Sequence, residues 1–314
     1  DWIEGMNRMD MNFVSSQHSK KVFEVTQFEK KDKDNNTIGT VKSEKPIEVL
    51  FEGINLDIYK KVQAKENSLD LKSIKEQFAY LFVGHWMAGS MGHDRKNVGF
   101  MIKSFFETFK NQKNKPALIL KASVGSASYI SREELLKRVN NIKKTVNAKD
   151  LPNVYILTGE MADEEINMLY NHPKVKAMVC LTKGEGFGRP MLEFSATGKP
   201  IIASGWSGQV DFLNPEFSFL VGGELEPVHA SAANKWLLKD SNWFKPDAGV
   251  VGAIWKDMYK NYKQYVVRGK KQGHYSRENF SFEKMVQLLD THLTTYVNVP
   301  QELELSLPTL TPID

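Results

Sequence analysis

The stretch "VKAMVCLTKGEGFGRPMLEFSATGKPIIAS", residues 175–204, joins two apolar runs through a glycine-rich turn and a short helical pattern. The two runs are typical of strands covered on both faces, as in a parallel sheet. Pro190 stands at the predicted first helical residue and Gly198 follows the helix, which is the usual placement of proline and glycine at helix ends. The stretch therefore predicts a βαβ unit.

Apolar runs and helical patterns alternate on both sides of this unit. Further strands are predicted at 46–51, 78–84, 116–121 and 153–158. The clearest helix follows Arg95, with one apolar face made by Val98, Met101, Ile102, Phe105, Phe106 and Phe109. Repeated βαβ units predict a doubly wound parallel sheet with a ligand crevice at the carboxyl ends of its strands.

Local signals refine this pattern. Ser131 and Glu134 have the spacing of a capping box, and Asp163 is predicted to cap the helix that follows it. The alternation continues to about residue 221, and from about residue 230 onward the pattern becomes helical, with helices predicted at 231–239, 253–267 and 281–293. Before residue 46 it predicts a strand at 11–16, a helix at 20–25 and a polar, solvated loop at 29–45.

Composition narrows the class of protein. A net charge of +4, from 42 basic and 38 acidic side chains, is too balanced to predict a nucleic-acid partner. The single cysteine, Cys180, excludes an internal disulfide framework and is expected to be a small buried apolar residue. No apolar run has the length of a transmembrane segment. These features predict a cytoplasmic protein.

The glycine-rich turn is the strongest functional signal. Gly184, Gly186 and Gly188 allow backbone amides to approach a phosphate at a helix start, although a tight turn without a ligand explains the glycines equally well. The two carboxylates of Glu185 and Glu193 favour a ligand, because each can accept two hydroxyl hydrogen bonds. A nucleotide sugar carries vicinal diols on both sides of a diphosphate and fits this pattern.

Glu185 and Glu193 also form the Glu-x7-Glu motif, and "EGFGRPMLEFSATGKPIIASGWSGQVDF" resembles retaining glycosyltransferases of the GT-B fold. The resemblance implies that Glu185 contacts the donor hexose and Glu193 the ribose. It also implies that backbone amides bind the phosphates, at Gly186, Phe187 and Gly188. Ser204, Ser207 and Gly208 lie near the sugar site on the same basis.

Two other segments resemble the family. "FVGHWMAGSMGHDRKNVGFMIKSF" is similar to its first strand and helix, which implies that Lys96 and Arg95 bind the diphosphate with His85 nearby. "LPNVYILTGEMADEEINMLY" is similar to the segment that touches the base, through Gly159, Glu160 and Met161. The seven histidines lack metal-ligand spacing, and neither a metal nor a cofactor is expected.

The resemblance implies a division of the chain. Residues 46–292 are expected to form the nucleotide-sugar-binding Rossmann-like domain with its C-terminal helices. Residues 1–45 match the end of a second Rossmann-like domain, most of whose acceptor-binding part has no counterpart here. Residues 293–314 are predicted to be an extended tail.

The expected activity is that of a hexosyltransferase, which moves a sugar from a nucleoside diphosphate sugar to a carbohydrate or other hydroxyl acceptor with retained configuration. Lys96, Arg95 and Glu185 are the predicted catalytic residues. A noncatalytic nucleotide-sugar-binding subunit that needs a partner domain is the alternative. A GT-B epimerase is a third possibility, but its acid and base residues would belong to the part without a counterpart.

Overall fold

The computed structural model describes residues 2–89, 91–126 and 128–296. Its α-helices are α1 Trp2–Met6, α2 Gln17–Val25, α3 Val98–Phe109, α4 Tyr129–Lys144, α5 Asp163–Asn171, α6 Arg189–Ser195, α7 Ala248–Lys260, α8 Tyr262–Asn279 and α9 Phe282–Tyr296. Its strands are β1 Asn12–Val14, β2 Gln27–Lys31, β3 Thr37–Lys42, β4 Ile47–Val49, β5 Ala79–His85, β6 Ala117–Ser123, β7 Val154–Leu157, β8 Val175–Cys180, β9 Ile201–Ser204, β10 Phe219–Val221, β11 Gly223–Pro227 and β12 Asn242–Pro246. Short 3₁₀ helices occur at Ala64–Glu66 and Gly208–Asp211.

A parallel sheet in the order β10-β9-β8-β5-β6-β7 forms the centre of the molecule. Every neighbouring pair in it is parallel. Its strands are mostly buried, as the continuous apolar runs predicted. The α/β fold with a parallel sheet flanked by helices is therefore confirmed.

Helix α3 anchors the hydrophobic core on one face of the sheet. All six residues of its predicted apolar face are at most 2% exposed. Tyr80 from β5 packs edge-on against Trp255 of α7, with ring centroids 4.5 Å apart, and its hydroxyl donates to the Trp255 carbonyl at 2.8 Å. Trp255 Nε1 also donates to Ser104 Oγ of α3 at 3.2 Å, which links α3 to α7.

The N-terminal segment forms a small βαβ unit of its own. β1 pairs in parallel with β4, and α2 connects through the β2–β3 hairpin to β4. The division predicted after residue 45 lies between β3 and β4, although β4 pairs with β1 of the N-terminal segment. Helix α9 returns to this unit, because the Tyr296 hydroxyl donates to Glu48 at 2.7 Å.

Two predictions of irregular or helical structure were wrong. The polar stretch 29–45 contains most of the β2–β3 hairpin, whose turn is stabilised by Asp32 Oδ1 accepting from the amides of Asp34 and Asn36, each at 2.9 Å. The predicted helix at 231–239 lies instead in the loop between β11 and β12. There Asn234 Oδ1 accepts from the amide of Trp236 at 2.8 Å, a local bond that competes with helix formation.

Helix starts also differ from the predicted caps. α4 begins three residues early because Ser128, not Ser131, caps it, while Ser131 Oγ accepts from the Val124 amide at 2.8 Å. In α5, Asp163 is the first helical residue, and Glu165 accepts from the Ala162 amide at 2.8 Å. Both helices remain where the sequence predicted them.

The C-terminal prediction is corrected in part. Residues 293–296 continue helix α9 instead of opening an extended tail. The remainder of the predicted tail lies outside the described residues.

Lys199 links stability to pH. Its Nζ donates to the carbonyls of Tyr170 at 2.6 Å and His172 at 2.9 Å. Burial, with a smaller contribution from Lys176, lowers the pKa of Lys199 to about 7. Between that value and the unfolded lysine pKa of about 10.4, the unfolded chain binds more protons, so the free energy of unfolding rises with pH by up to about 1.4 kcal/mol per unit.

We expect Lys199→Met to remove this rise, as measured by urea unfolding at pH 7, 8 and 9. Lys260→Met, at an exposed position of α7, is the matched control and should keep the rise. The same pH dependence in wild type and Lys199→Met would show that Lys199 is not the titrating group.

Candidate functional site

The carboxyl ends of β5 and β8 lie side by side, and the loops leaving them form the candidate site. The two strands pair from Ala79 with Val175 onward. From β5 the sheet continues through β6 and β7 on one side, and from β8 through β9 and β10 on the other. This reversal is a topological switch point, where open α/β sheets form a ligand crevice.

Three charged side chains meet in this crevice. Lys96 Nζ donates to Glu185 Oε1 at 2.6 Å, and Arg95 Nη1 lies 3.3 Å from Glu185 Oε2. Arg95 Nη1 also donates to the Gly184 carbonyl at 2.5 Å. We call Arg95, Lys96 and Glu185 the Glu185 cluster. With two cations and one carboxylate, it favours an anionic group beside a group that donates hydrogen bonds.

Burial strengthens this cluster. The Glu185 side chain is 7% exposed and the Lys96 side chain 13%, whereas Arg95 is 34% exposed. Partly buried charge pairs are screened by salt much less than surface pairs. Arg95 is thus the member most open to a ligand, and Lys96 is the more firmly held cation.

The loop after β9 holds the glycine-rich turn in place through two hydrogen bonds to the backbone of Glu185. Ser207 Oγ accepts from the Glu185 amide at 2.9 Å, and the Glu185 carbonyl accepts from the Gly208 amide at 3.0 Å. Ser207 adopts φ 73°, in the left-handed region that is uncommon for residues other than glycine. The sequence placed Ser207 and Gly208 near the sugar site, and the structure joins both directly to Glu185.

Helix α6 begins at Arg189, so Pro190 is its second residue and not its first. Gly188 precedes the helix at φ 102°, a conformation for which glycine is well suited. The amides of Gly186, Phe187 and Gly188 thus belong to the turn between Glu185 and α6. Their predicted contact with phosphates stays a prediction.

Glu193 forms a second, separate arrangement in α6. Its Oε1 accepts from Arg189 Nε at 2.8 Å and its Oε2 from the Tyr170 hydroxyl at 3.4 Å. Burial raises the pKa of the Glu193 carboxyl, an effect that Arg189 opposes. No hydrogen bond or ion pair connects this carboxylate to the Glu185 cluster within the described residues. Sequence reasoning missed both partners, although the i, i+4 spacing of Arg189 and Glu193 was a usable signal.

The loop predicted to touch the base follows β7. Gly159 adopts φ 104°, and its carbonyl accepts from Lys121 Nζ at 2.5 Å. Burial lowers the pKa of Lys121, and the nearby charge of Glu160 opposes that shift. Lys121 was missed because it ends an apolar run on β6. Met161 packs against the main hydrophobic core.

His85 ends β5 at an exposed position, where its Nδ1 lies 2.7 Å from Ser123 Oγ. In the described part of the chain it makes no hydrogen bond or ion pair with the Glu185 cluster. Its predicted role beside the diphosphate therefore depends on a ligand reaching it.

Cys180 lies at the end of β8 and is buried, as the sequence predicted. Burial, and to a smaller extent the charge of Glu185, raises the pKa of its thiol to about 11. Since the thiolate is the reactive form, this thiol is unsuited to nucleophilic catalysis at neutral pH.

Within residues 2–89, 91–126 and 128–296, no three or more His, Cys, Asp or Glu side chains are grouped so that they could hold a metal ion. None of the helices in these ranges has both the length and the apolar character required to cross a bilayer.

The parallel sheet and its switch-point crevice define an α/β protein of the GT-B type. The family described as glycosyl transferases group 1 matches residues 87–247, slightly more than half of the chain. The chain belongs to this family. The match includes the whole Glu185 cluster and Glu193.

Solved structures of low sequence identity share the fold. A sucrose-phosphate synthase from Thermosynechococcus elongatus aligns over 94% of this chain and 60% of its own, with a TM-score of 0.62 and 16% identity. Anabaena HepE, in complex with UDP and glucose, aligns over 94% of this chain and 66% of its own, with a TM-score of 0.60 and 16% identity. The C-terminal domain of a group 1 glycosyl transferase from Francisella tularensis aligns over 73% of this chain and all of its own, with a TM-score of 0.51 and 13% identity.

The chain thus spans less than two thirds of the length of the first two structures. No curated protein matches it.

Proposed function

We propose that this chain binds a nucleoside diphosphate sugar in the switch-point crevice and transfers its hexosyl group to a hydroxyl acceptor with retained configuration. The Glu185 cluster carries the proposal: two cations and a carboxylate lie at the carboxyl ends of β5 and β8 in a chain of the group 1 family. The donor's diphosphate and hexose need these two kinds of group side by side.

The cations address the difficult part of the reaction. As the bond between the sugar C1 and the diphosphate oxygen breaks, negative charge collects on the departing diphosphate. The acceptor hydroxyl oxygen bonds to C1 on the same face, and its proton passes to the departing diphosphate. Lys96 and Arg95 are positioned to stabilise that charge, and fixed cations in a partly buried site need little reorganisation to do so. The amides of Gly186 to Gly188 add donors on the same side. The scheme uses no nucleophile from the protein and no metal ion.

The remaining predicted residues bind the rest of the donor. Glu185 accepts hydrogen bonds from hexose hydroxyls, which replace part of its contact with Lys96 and Arg95. On the family resemblance, Glu193 is assigned to the ribose and the loop of Gly159, Glu160 and Met161 to the base.

Exchanging each carboxylate for an amide should separate these roles. We expect Glu193→Gln to weaken UDP and UDP-glucose equally, by about 10-fold to 100-fold, because a charged hydrogen bond contributes about 1.5–3 kcal/mol. Glu185→Gln should weaken UDP-glucose while leaving UDP within about twofold. Isothermal titration calorimetry in the presence of EDTA measures the affinities for UDP and UDP-glucose. These two ligands are chosen because the HepE structure contains UDP.

Glu133→Gln, at an exposed position of α4, is the matched control and should change the affinity for neither ligand. Equal losses of both ligands in Glu185→Gln would contradict the hexose assignment. Binding that EDTA abolishes and magnesium restores would contradict the metal-free scheme.

A noncatalytic nucleotide-sugar-binding subunit is the second candidate. This chain aligns with less than two thirds of each of the two longer structures. The family resemblance assigns acceptor binding largely to a domain that has no counterpart here, and this supports a subunit that binds the donor without transferring the sugar. This alternative predicts donor binding without transfer to any acceptor. UDP release that depends on an added acceptor would favour the transferase.

A further inference from the structure

A second cavity, of about 710 Å³, lies apart from the Glu185 cluster. It is bounded by the start of α3, the β11–β12 hairpin and the start of α7. Its volume falls within the usual range for small-molecule sites. Neither Arg95, Lys96 nor Glu185 lines it, but Lys183 does, only two residues before Glu185.

Asn97 is the most informative residue of this cavity. It is 1% exposed, yet its side-chain Oδ1 has no hydrogen-bond partner among the described residues. Its backbone is held in the left-handed region at φ 56°. Nδ1 of His93, on the same cavity wall, is also buried without such a partner, and the ring stacks on His229 with centroids 4.0 Å apart. Buried polar atoms are rarely left unpaired, so these atoms indicate a ligand with hydrogen-bonding groups.

The charges of the cavity largely compensate one another. Lys183, 2% exposed, donates from Nζ to Glu226 Oε1 at 2.6 Å and lies over the ring of Trp243. Lys245 Nζ lies 3.2 Å from Glu224 and 3.9 Å from Glu226. Two lysines thus face two glutamates, and Asp247 adds a third carboxylate to the lining, which leaves no excess positive charge for a phosphate. A neutral polar ligand fits this balance better than an anion.

From these observations we infer that the cavity binds a neutral, hydroxyl-rich ligand, specifically a mono- or disaccharide. Hydroxyl groups both donate and accept, as required opposite the amide of Asn97 and the imidazole of His93. Phe100 lines the cavity and supplies an apolar surface for the C–H face of a sugar ring. This inference does not rest on the proposed donor site, since it uses none of the residues assigned there.

Maltose is the probe, and saturation-transfer difference NMR in the presence of saturating UDP is the measurement. We expect maltose to bind, and Asn97→Gly to weaken it at least about fivefold, because glycine keeps the left-handed backbone and removes only the amide. Asn35→Gly is the matched control, since Asn35 also has a positive φ, of 66°, but is exposed in the β2–β3 turn. It should leave maltose binding unchanged.

A blocking variant provides an independent arm. Val250 is 44% exposed at the cavity rim, so Val250→Trp should fill the entrance without disturbing the core and should abolish the maltose signal. Both variants should bind UDP as wild type does, which separates this test from that of the donor site.

Three results would overturn the inference: no maltose signal in wild type, full maltose binding in both variants, or a maltose signal that is seen only when UDP is left out, which would place the sugar at the donor site. Loss of the maltose signal when inorganic phosphate is added would overturn the neutral-ligand assignment.

Discussion

Lys96→Met should lower the rate of sugar transfer by about 10²–10³-fold, the usual effect of removing one group that stabilises transition-state charge. The lysine is the less exposed cation of the Glu185 cluster and lies 2.6 Å from Glu185. Methionine keeps an unbranched side chain that is one heavy atom shorter, and it removes the ammonium group with its charge and hydrogen-bond donors. Acceptor-dependent release of UDP from the donor is the readout.

The same substitution should also destabilise the fold. It leaves the Glu185 carboxylate, 7% exposed, with Arg95 as its remaining cationic partner at 3.3 Å. Breaking a buried ion pair by removing one member costs about 3 kcal/mol or more. The double variant Lys96→Met with Glu185→Gln removes the uncompensated charge, so it should recover stability but not transfer.

Lys110→Met is the matched control, because Lys110 pairs with Glu107 at the same 2.6 Å at the other end of α3, with both side chains more than one-third exposed. A surface pair of this kind contributes little, so neither stability nor transfer should change appreciably. Recovery of transfer in the double variant would show that the loss in Lys96→Met was structural and that Lys96 has no direct role.

Gly208→Ala is expected to have the second large effect, on both stability and donor binding. A Cβ at this position would lie 2.1 Å from the Gly186 carbonyl oxygen and 2.7 Å from Phe187 Cα. Both are backbone atoms of the turn that carries Glu185, and they cannot move independently of it. We expect a loss of about 3 kcal/mol in unfolding free energy, at the upper end for overpacking, with a loss of UDP-sugar binding of at least tenfold.

Gly222→Ala is the control for this substitution. Gly222 follows β10, and an added Cβ there would meet no heavy atom within 4 Å. Its unfolding free energy and its affinity for the UDP sugar should both match wild type. A Gly208→Ala variant with unchanged binding would mean that the turn can shift without disturbing the Glu185 cluster.

The sequence predicted five of the six strands of the central sheet, β5 to β9, and most of the helices around it because their signals are local. The apolar face of α3 and the positions of Pro190 and Gly198 depend on residues within a few turns of one another. The same kind of signal failed at 29–45 and 231–239, where short side chains such as Asp32 and Asn234 bond to nearby amides. These bonds produce turns that hydrophobic periodicity does not report.

The sequence also identified the chemical types of the candidate site. Glu185, Glu193, Lys96 and the glycine-rich turn were recognisable from spacing and from the family resemblance. Arg189 could have been added from its helical spacing to Glu193. Tyr170 and Lys121 could not, since Lys121 ends an apolar run on β6 and nothing in the sequence around Tyr170 on α5 links it to Glu193.

What the sequence alone determined, then, was the order of the elements from β5 to β9 and the charged residues at their ends. Only the tertiary structure decided that β5 and β8 are neighbours, and therefore that Lys96 and Glu185, 89 positions apart, form an ion pair. It also decided that Asn97 lies in the wall of a separate cavity, with an Oδ1 atom that is buried and has no hydrogen-bond partner among the described residues. Which strands are neighbours depends on how the whole sheet buries its apolar side chains. These contacts join residues far apart in the sequence, so no single segment of the chain indicates them.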